Sequence, residues 1–233
     1  MITLTARCHP ALEPTLPKPV LAADALPDWL RTMPSEVDSD TLGGAPIRTL
    51  KHCPPLIDAL GLGLLMPLAA DLTVSAGEVS WHWDPPPLPA DLMTRAPIGL
   101  HVPEQAAGTP LPVAGFIIKF TNFWTLEAPE GWSILFTHPL NREDLPFRTL
   151  AGVVECDRFR DGLVHFPALW TDPDFEGTLP AGTPVAQAIP IPRQTTKLAC
   201  TILDESGTAR LRTMQQALQE KRGVYRRLRR GSA

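Results

Sequence analysis

Proline is the feature that most limits how this chain can fold. The 233 residues include 27 prolines, more than twice the usual frequency. Because proline fixes φ and has no amide hydrogen to donate, it disfavours long helices and central strands. The composition therefore favours short strands joined by rigid turns, and we expect a mainly β protein.

Bulk properties exclude several classes of protein. Hydrophobic residues make up 44% of the chain, which is enough for a sizeable core. The net charge of -4 and the isoelectric point near 5.9 argue against a surface that binds nucleic acid throughout. The first residues lack the pattern of a signal peptide, and the longest apolar run, residues 59–70, is too short to span a membrane. We therefore expect a cytoplasmic protein with no membrane span.

The cysteines and histidines do not form a recognisable ligand pattern. The four cysteines are far apart and contain no CxxC pair, so they predict reduced thiols, mostly buried, rather than a zinc ribbon or a disulfide framework. They are Cys8, Cys53, Cys156 and Cys200. His9, His52 and His101 share no spacing with other ligand types, so no metal site is predicted and the cofactor stays unknown.

The chain divides into three predicted parts. Residues 1–46 are rich in proline and are expected to form an irregular N-terminal arm that wraps the core, with Trp29 as its anchor. A disordered tail is the alternative for this segment. Residues 47–200 are expected to form the β domain, and residues 201–233 a basic C-terminal helix.

Short segments of the middle part have the composition and alternation of strands. Their spacing of about ten residues, with Pro and Gly turns between them, is typical of a barrel or a sandwich. The stretch from Pro85 to Pro112 is expected to add at most one strand. The predicted strands lie at residues 64–68, 70–74, 79–83, 116–120, 122–127 and 132–137.

The C-terminal part has a different pattern. Proline disappears after Thr208, and apolar residues recur at alternating three- and four-residue steps, interrupted only at Lys221. This predicts one helix of five or six turns with a narrow apolar row. The row consists of Leu211, Met214, Leu218, Tyr225 and Leu228.

The predicted helix is also strongly basic. Eight residues between Ala209 and Arg230 are Lys or Arg, and one, Glu220, is acidic. The apolar row could dock on its own subunit or pair with neighbours, or the helix could bind an acidic partner such as nucleic acid or an anionic membrane. Nucleic acid is possible but is not specifically indicated, because Tyr225 is the one aromatic residue in the helix.

The segment from Gly131 to Arg193 resembles a known superfamily. A strand that ends in FTHPLNR (136–142) is followed by AGVVECDRF (151–159) and then by LPAGTPVAQAI (179–189). In this order the segments resemble the dUTPase and dCTP-deaminase superfamily. The resemblance implies a distorted β-clip barrel, a homotrimer, and a small-molecule pocket between subunits. The whole chain also resembles a domain-of-unknown-function family of phages and bacteria, which implies no activity.

Several functional residues of that superfamily are missing. Pro139–Arg142 stands where the family has its phosphate-binding Arg-Ser pair, and Glu155 replaces the water-activating aspartate. Arg158-Phe159 replaces the tyrosine that stacks beneath the sugar. Because cleavage of a phosphoanhydride depends on fixed phosphates and magnesium, authentic dUTPase activity is not expected.

Glu155 and Asp157 are the candidate catalytic carboxylates. They are two residues apart, so an extended backbone would point both toward the turn that contains His138. A carboxylate and an imidazole in one cleft could act as a general base and its orienting group, or could hold a metal with a third ligand. The alternative is a structural ion pair with Arg142, Arg148 or Arg158. The residues predicted to contact a substrate are Asn141, Arg142, Arg158, Phe159 and Gln187.

Two functions stay open at this point. The first is a small-molecule enzyme or binding protein that uses the inter-subunit pocket, with Glu155 or Asp157 as general base and an unknown substrate. The second is a non-catalytic structural or interaction protein whose barrel oligomerises and whose basic helix binds a partner. A cupin-like metal oxygenase ranks third, because the paired histidines of that class are missing.

Overall fold

A computed structural model describes residues 1–86, 94–112, 117–221 and 223–230. The chain forms two compact units, Met1–Arg193 and Gln194–Ala233. We call the first unit the body and the second the C-terminal unit. All strands among the described residues belong to the body.

The body consists of short strands with two short helices. The helices are α1 (Asp28–Thr32) and α2 (Pro54–Leu60). Single 3₁₀ turns span Ala22–Asp24, Asp40–Leu42, Leu50–His52 and Pro103–Ala106. The described strands are β1 (Thr5–Arg7), β2 (Val20–Leu21), β3 (Glu36–Ser39), β4 (Ala45–Arg48), β5 (Leu64–Pro67), β6 (Leu72–Ser75), β7 (Glu78–Trp81), β8 (Ile98–His101), β9 (Ile117–Phe120), β10 (Thr125–Glu127), β11 (Trp132–Thr137), β12 (Phe147–Thr149), β13 (Gly152–Val154), β14 (Phe166–Trp170), β15 (Gly177–Leu179) and β16 (Pro184–Pro192).

The strands form five antiparallel sheets. Their orders are β13-β11-β16-β5-β2, β12-β14-β9-β8, β15-β6-β7, β1-β10 and β3-β4. The mainly β class predicted from the proline content is therefore confirmed. Among the described residues no sheet closes on itself, and the predicted distorted β-clip barrel is not confirmed.

The longest strand, β16, explains how a proline-rich chain can still form a sheet. β16 pairs with β11 over residues 187–192 and with β5 over residues 184–188. Pro184, Pro190 and Pro192 all lie where β16 has a neighbour on one side only. At each of these prolines one edge of β16 is unpaired, so a missing amide hydrogen can be accommodated there without the loss of a hydrogen bond between strands.

Aromatic and aliphatic side chains from the two largest sheets form the core. The rings of Phe120 and Phe147 lie 4.7 Å apart, and those of Phe136 and Phe166 lie 5.4 Å apart. Ile134 of β11 is completely buried in the same cluster. This packing fixes β11 and β16, which carry or flank most of the predicted site residues.

The N-terminal residues are more regular than expected and pack on the core. β1 pairs with β10 in the register Ala6↔Leu126, and Leu12 is completely buried. Trp124 donates a hydrogen bond from Nε1 to the Pro17 carbonyl at 3.0 Å. Trp29, the expected anchor, is only half-buried in α1, whereas its neighbour Leu30 is 5% exposed.

Two of the predicted segments fall partly outside the described residues. Between Pro85 and Pro112 the described part contains β8, and residues 87–93 lie outside the description. Phe116, the predicted first residue of strand 116–120, also lies outside it, and β9 begins at Ile117.

The described part of the C-terminal unit contains two helices where one was predicted. They are α3 (Glu205–Glu220) and α4 (Val224–Arg230). Gly223 between them has a φ of 73°, a left-handed conformation that ends a helix and that glycine adopts without strain. No helix of the described chain combines the length and the apolar character needed to cross a membrane.

Candidate functional site

The two halves of the predicted site lie at opposite ends of β11. The Asp157 carboxylate accepts a hydrogen bond from the Gly131 amide at 3.0 Å, just before β11 begins, whereas His138 follows the last residue of β11. The six residues of β11 lie between Gly131 and His138, which corresponds to about 23 Å of extended chain. The structure therefore does not bring His138 to the carboxylates.

The two halves also line different surface pockets. His138 and Asn141 line a pocket of about 550 Å³ together with Arg148. Asp157 and Arg158 line another, of about 450 Å³. The predicted combination of imidazole and carboxylate in one cleft is therefore absent from the described structure.

Glu155 and Asp157 do not lie on an extended strand. The amides of Arg158 and Phe159 both donate to the Glu155 carbonyl, at 2.9 and 2.8 Å, so the chain turns directly after β13. The expected common face, which required an extended backbone, does not exist. The two acids converge instead on Arg193, whose Nη1 lies 2.9 Å from Asp157 Oδ1 and 3.3 Å from Glu155 Oε2.

The electrostatics of Asp157 are unfavourable for a general base. Its side chain is 6% exposed. Hydrogen bonds from the Arg193 guanidinium, and then from the Gly131 amide, hold the pKa of Asp157 well below its usual range. An effective general base has a pKa near the working pH, so the shift is in the wrong direction for that role.

Glu155 also takes part in ion pairs. Its Oε2 is 2.7 Å from Arg158 Nη1, in addition to its contact with Arg193. These contacts correspond to the structural ion pair considered as the alternative. Arg158 is one of the arginines expected there, and Arg193 is the partner that the sequence interpretation missed.

His138 holds a turn and has no free ring nitrogen. Its Nδ1 accepts from the Thr149 amide at 3.3 Å, so Nε2 carries the proton that faces the Arg142 carbonyl at 3.0 Å. Burial lowers the pKa of His138, which favours this neutral form. The ring edge packs on Phe147, with 5.8 Å between the ring centroids.

Gln187 is a buried structural bridge. It is 1% exposed, and its Oε1 accepts from the Leu140 amide at 2.8 Å. Its Nε2 donates to the carbonyls of Ala59 and Leu62, at 3.0 and 2.6 Å. Gln187 thus joins the turn before Asn141 to the end of α2, and both hydrogens of its amide are used within the body.

The other predicted contact residues lie in turns. Asn141 has a φ of 58°, a left-handed conformation that asparagine tolerates. Arg142 binds Asp144 through Nε and Nη2, at 2.7 and 2.8 Å. Phe159 is 51% exposed, and its ring lies against Gly162.

The described residues offer no orphaned group that awaits a ligand. Every buried side-chain nitrogen or oxygen in them has a hydrogen-bond partner. In the same residues no three His, Cys, Asp or Glu side chains lie close enough together to hold a metal ion. Burial raises the pKa of Cys156 to about 11, so its thiol is unreactive at neutral pH.

Arg193 could have been found by extending one strand pair. Trp132 pairs with Pro192 at the end of the β11–β16 ladder. One further step places Arg193 beside Gly131, and the Arg193 amide does donate to the Gly131 carbonyl at 2.8 Å. No local motif marks this residue, because its partner Asp157 is 36 residues away in sequence.

The C-terminal unit has an exposed apolar row. Leu211, Met214 and Leu218 of α3 are 48%, 38% and 49% exposed. Their spacing of three and four residues places them on one face of the helix. These three residues, which we call the α3 row, contrast with the buried core of the body.

Charge is divided unequally along the chain. Residues 194–233 contain nine Lys or Arg and three Asp or Glu, a formal net charge of +6. Residues 1–193 contain twelve Lys or Arg and 22 Asp or Glu, a net charge of -10. The small overall charge therefore conceals a strongly basic C-terminal unit.

Comparison with known proteins does not assign a family. No protein-family model and no curated protein matches the chain. Among solved structures, the chain is similar to a mutant dUTPase from phage phi11 of S. aureus, with 13% identity and a TM-score of 0.28. The match covers 36% of this chain and 70% of that one. The neighbour belongs to the superfamily that Gly131–Arg193 resembles, but a similarity this low adds no argument about function.

Proposed function

We propose that this protein acts by binding a partner and not by catalysis. The body serves as a carrier, and the C-terminal unit is the binding element. The observation that carries the proposal is the α3 row, a set of large apolar side chains left exposed in a unit with a net charge of +6.

The state of the candidate catalytic groups supports this choice. Arg193 pairs with Asp157 and lowers its pKa, and both ring nitrogens of His138 take part in internal hydrogen bonds. Glu155 contacts two arginines. A mechanism that used any of these groups would first have to break contacts that hold the body together.

The exposed side chains of the α3 row would gain stability if a partner covered them. A helix of 16 residues is marginally stable in water by itself, and most helical stability in proteins comes from packing an apolar face. Exposed apolar residues in a contiguous set mark interaction sites more often than scattered ones do. Covering Leu211 and Leu218 would stabilise both the helix and the complex.

The charge indicates the kind of partner. An excess of basic side chains attracts acidic surfaces, accelerates encounter with them and disfavours basic competitors. The nine Lys and Arg of the C-terminal unit therefore select a partner that is acidic where it meets this unit.

Binding of labelled poly-L-glutamate to the full-length protein, followed by fluorescence anisotropy, tests the proposal. Replacing Arg210, Arg212, Lys221 and Arg226 by Gln should weaken binding by about tenfold or more at low salt. The matched control replaces four exposed arginines of the body by Gln and should leave the affinity unchanged: Arg31, Arg48, Arg95 and Arg148. If neither poly-L-glutamate nor any other acidic probe binds, or if the control loses as much affinity, the proposal is wrong.

The rival function is tested in a separate screen. A small-molecule pocket of the dUTPase type should raise the thermal midpoint selectively with pyrimidine nucleotides, because a ligand that binds the folded state stabilises it. We expect no such shift, with or without magnesium. A pyrimidine-selective shift would favour the small-molecule function.

Assembly is the second part of the proposal. The resemblance of Gly131–Arg193 to the dUTPase superfamily supports a β-clip arrangement for that segment and a homotrimer of the body. Sedimentation equilibrium separates a trimer from a monomer directly. A monomer at all accessible concentrations would remove this part without affecting partner binding by the C-terminal unit.

A further inference from the structure

We infer that the partner element is an acidic amphipathic helix of another protein, packed along the α3 row (Leu211, Met214 and Leu218). The inference rests on the proposed function, because it specifies the surface that the C-terminal unit binds. Three observations carry it: the width of the apolar row, the basic residues within and after α3, and the fixed start of α3.

The row is too narrow for a lipid surface. Helices that lie in a membrane interface have a broad apolar face, commonly with Trp or Phe. In α3 the residues next to the row are polar or basic, including Arg210 and Gln215, except for the small Ala217, and α3 contains no aromatic residue. A row of one residue every three or four positions is instead the pattern by which one helix packs against another or into a groove.

Nucleic acid would account for the charge but not for the row. Binding to phosphates requires Lys and Arg and leaves aliphatic side chains without a partner. Leu211 and Leu218 would stay as exposed as they are now, at 48% and 49%. A protein helix satisfies both features, since its apolar face covers the leucines while its acidic residues meet Arg210 and the basic residues that follow α3 at 221–230.

The flanking charges argue against a second copy of α3. In a heptad with Leu211 at position a and Met214 at position d, the flanking positions of the described helix are Thr208, Arg210, Gln215 and Ala217. None of them is acidic, so an identical helix could not neutralise Arg210. In a parallel pair Lys221, at the next d position, would also meet its own copy. An acidic partner removes both problems.

The start of α3 is fixed before any partner arrives. Asp204 precedes the helix, and its Oδ1 accepts from the Gly207 amide at 2.6 Å and from the Ser206 hydroxyl at 2.9 Å. A capped first turn keeps the α3 row aligned, so less ordering remains to be done on binding.

The experiment compares defined probes on the full-length protein by anisotropy. One probe is a designed helical peptide with Leu at positions a and d and Glu at the flanking positions. A second peptide has Gln at those flanking positions, and poly-L-glutamate, duplex DNA and anionic phospholipid vesicles complete the set. We expect the acidic helix to bind at least tenfold more tightly than each of the other probes.

Variants of α3 identify the surface that binds. The double variant Leu211→Ala, Leu218→Ala keeps the helix, because Ala has the highest helix propensity. It should lower the affinity for the acidic helix by about tenfold or more and leave binding of poly-L-glutamate unchanged. Gln216→Ala with Gln219→Ala, both exposed in α3 and both facing away from the row, is the matched control and should change neither affinity.

The outcomes separate the inference from the proposed function. If poly-L-glutamate, DNA or vesicles bind as tightly as the acidic helix and the leucine variant has no effect, the inference is wrong but the binding function stands. If no acidic probe binds, both are wrong. If the protein self-associates and the leucine variant abolishes that association, the occupant is a second copy and the inference is overturned.

Discussion

Asp157 and Arg193 form a two-point ion pair that joins the turn after β13 to the last residue of the body. Arg193 Nη1 lies 2.9 Å from Oδ1, and Nη2 donates to Oδ2 of the same carboxylate. The Gly131 amide also donates to Oδ2. One carboxylate therefore connects three segments of chain: the turn at 155–159, the start of β11 and the end of β16.

We predict that Arg193→Gln destabilises the body more than Arg160→Gln does. The first substitution leaves the Asp157 carboxylate, which is almost inaccessible, without its charged partner, whereas Arg160 is 59% exposed and lies 4.0 Å from Glu127. Thermal unfolding at neutral pH measures the two losses. If the two variants lower the unfolding midpoint equally, the Asp157–Arg193 pair contributes no more to stability than an exposed ion pair does.

The contribution of the Asp157–Arg193 pair to stability should decrease in acid. Because Arg193 lowers the folded-state pKa of Asp157, the pair stabilises the body above the unfolded carboxyl pKa of about 3.9. That contribution is lost as the pH falls toward the folded-state pKa. The difference in midpoint between the wild type and Arg193→Gln should therefore shrink in acid, and a constant difference would contradict this origin.

Gln187→Leu should lower the free energy of unfolding by about 3 kcal/mol, measured by urea denaturation. The substitution leaves the Leu140 amide and the carbonyls of Ala59 and Leu62 without their partner, and an unsatisfied buried group costs about 1–3 kcal/mol. The control is Gln194→Leu at an exposed position, for which we expect little change. If both variants lose a similar free energy of unfolding, the hydrogen bonds of Gln187 do not make the expected contribution to stability.

His138 should make the protein less stable in mild acid. Burial lowers its folded-state pKa below the unfolded value of about 6.5, so the unfolded chain binds the proton more readily. Stability is complete above that value and falls as the pH drops from about 6.5 toward the lower folded-state pKa. Burial also lowers the pKa of His165, so the observed slope combines both residues.

Single substitutions separate the two histidines. His138→Gln and His165→Gln should each remove part of the pH dependence of the free energy of unfolding. The double variant should remove most of it. Urea midpoints at several pH values provide the measurement. A His138→Gln curve parallel to that of the wild type would show that this ring does not titrate differently in the folded state.

The local pattern of apolar and polar residues predicts those strands whose own sequence alternates or is apolar throughout. β5, β6, β7 and β11 lie where apolar runs or alternation between two faces placed them. β1 could not be predicted in this way, because its register Ala6↔Leu126 depends on a partner 120 residues away. Prolines in the N-terminal arm marked edges and turns and did not exclude short strands.

The candidate site was predicted from a spacing that holds only for extended chain. Glu155 and Asp157 would share a face if β13 continued, but β13 ends at Val154, and the Glu155 carbonyl accepts two amides of a turn. Neither residue carries a local signal for that turn. Arg193 was missed for the related reason that ion pairs between distant segments depend on tertiary structure.

The α3 row depends on its cap, and this gives a last prediction. Asp204 holds the first turn of α3 through the Gly207 amide, and that hydrogen bond, followed by the one from the Ser206 hydroxyl, lowers the pKa of Asp204. Asp204→Ala should reduce the far-UV helical signal, whereas Asp204→Ser retains a capping oxygen and should preserve it. Since the folded-state pKa is lowered, the contribution of the cap is present above about pH 3.9 and is lost in stronger acid.

If α3 binds as a preformed helix, the cap variants must affect recognition in the same order as they affect helicity. Asp204→Ala should weaken binding of the acidic helical peptide, while Asp204→Ser should bind like the wild type, because only the alanine variant has to order its first turn during binding. Affinity that falls equally in both variants would point instead to the Asp204 charge itself. If the alanine variant loses helicity but keeps its affinity for the peptide, binding does not require α3 to be helical.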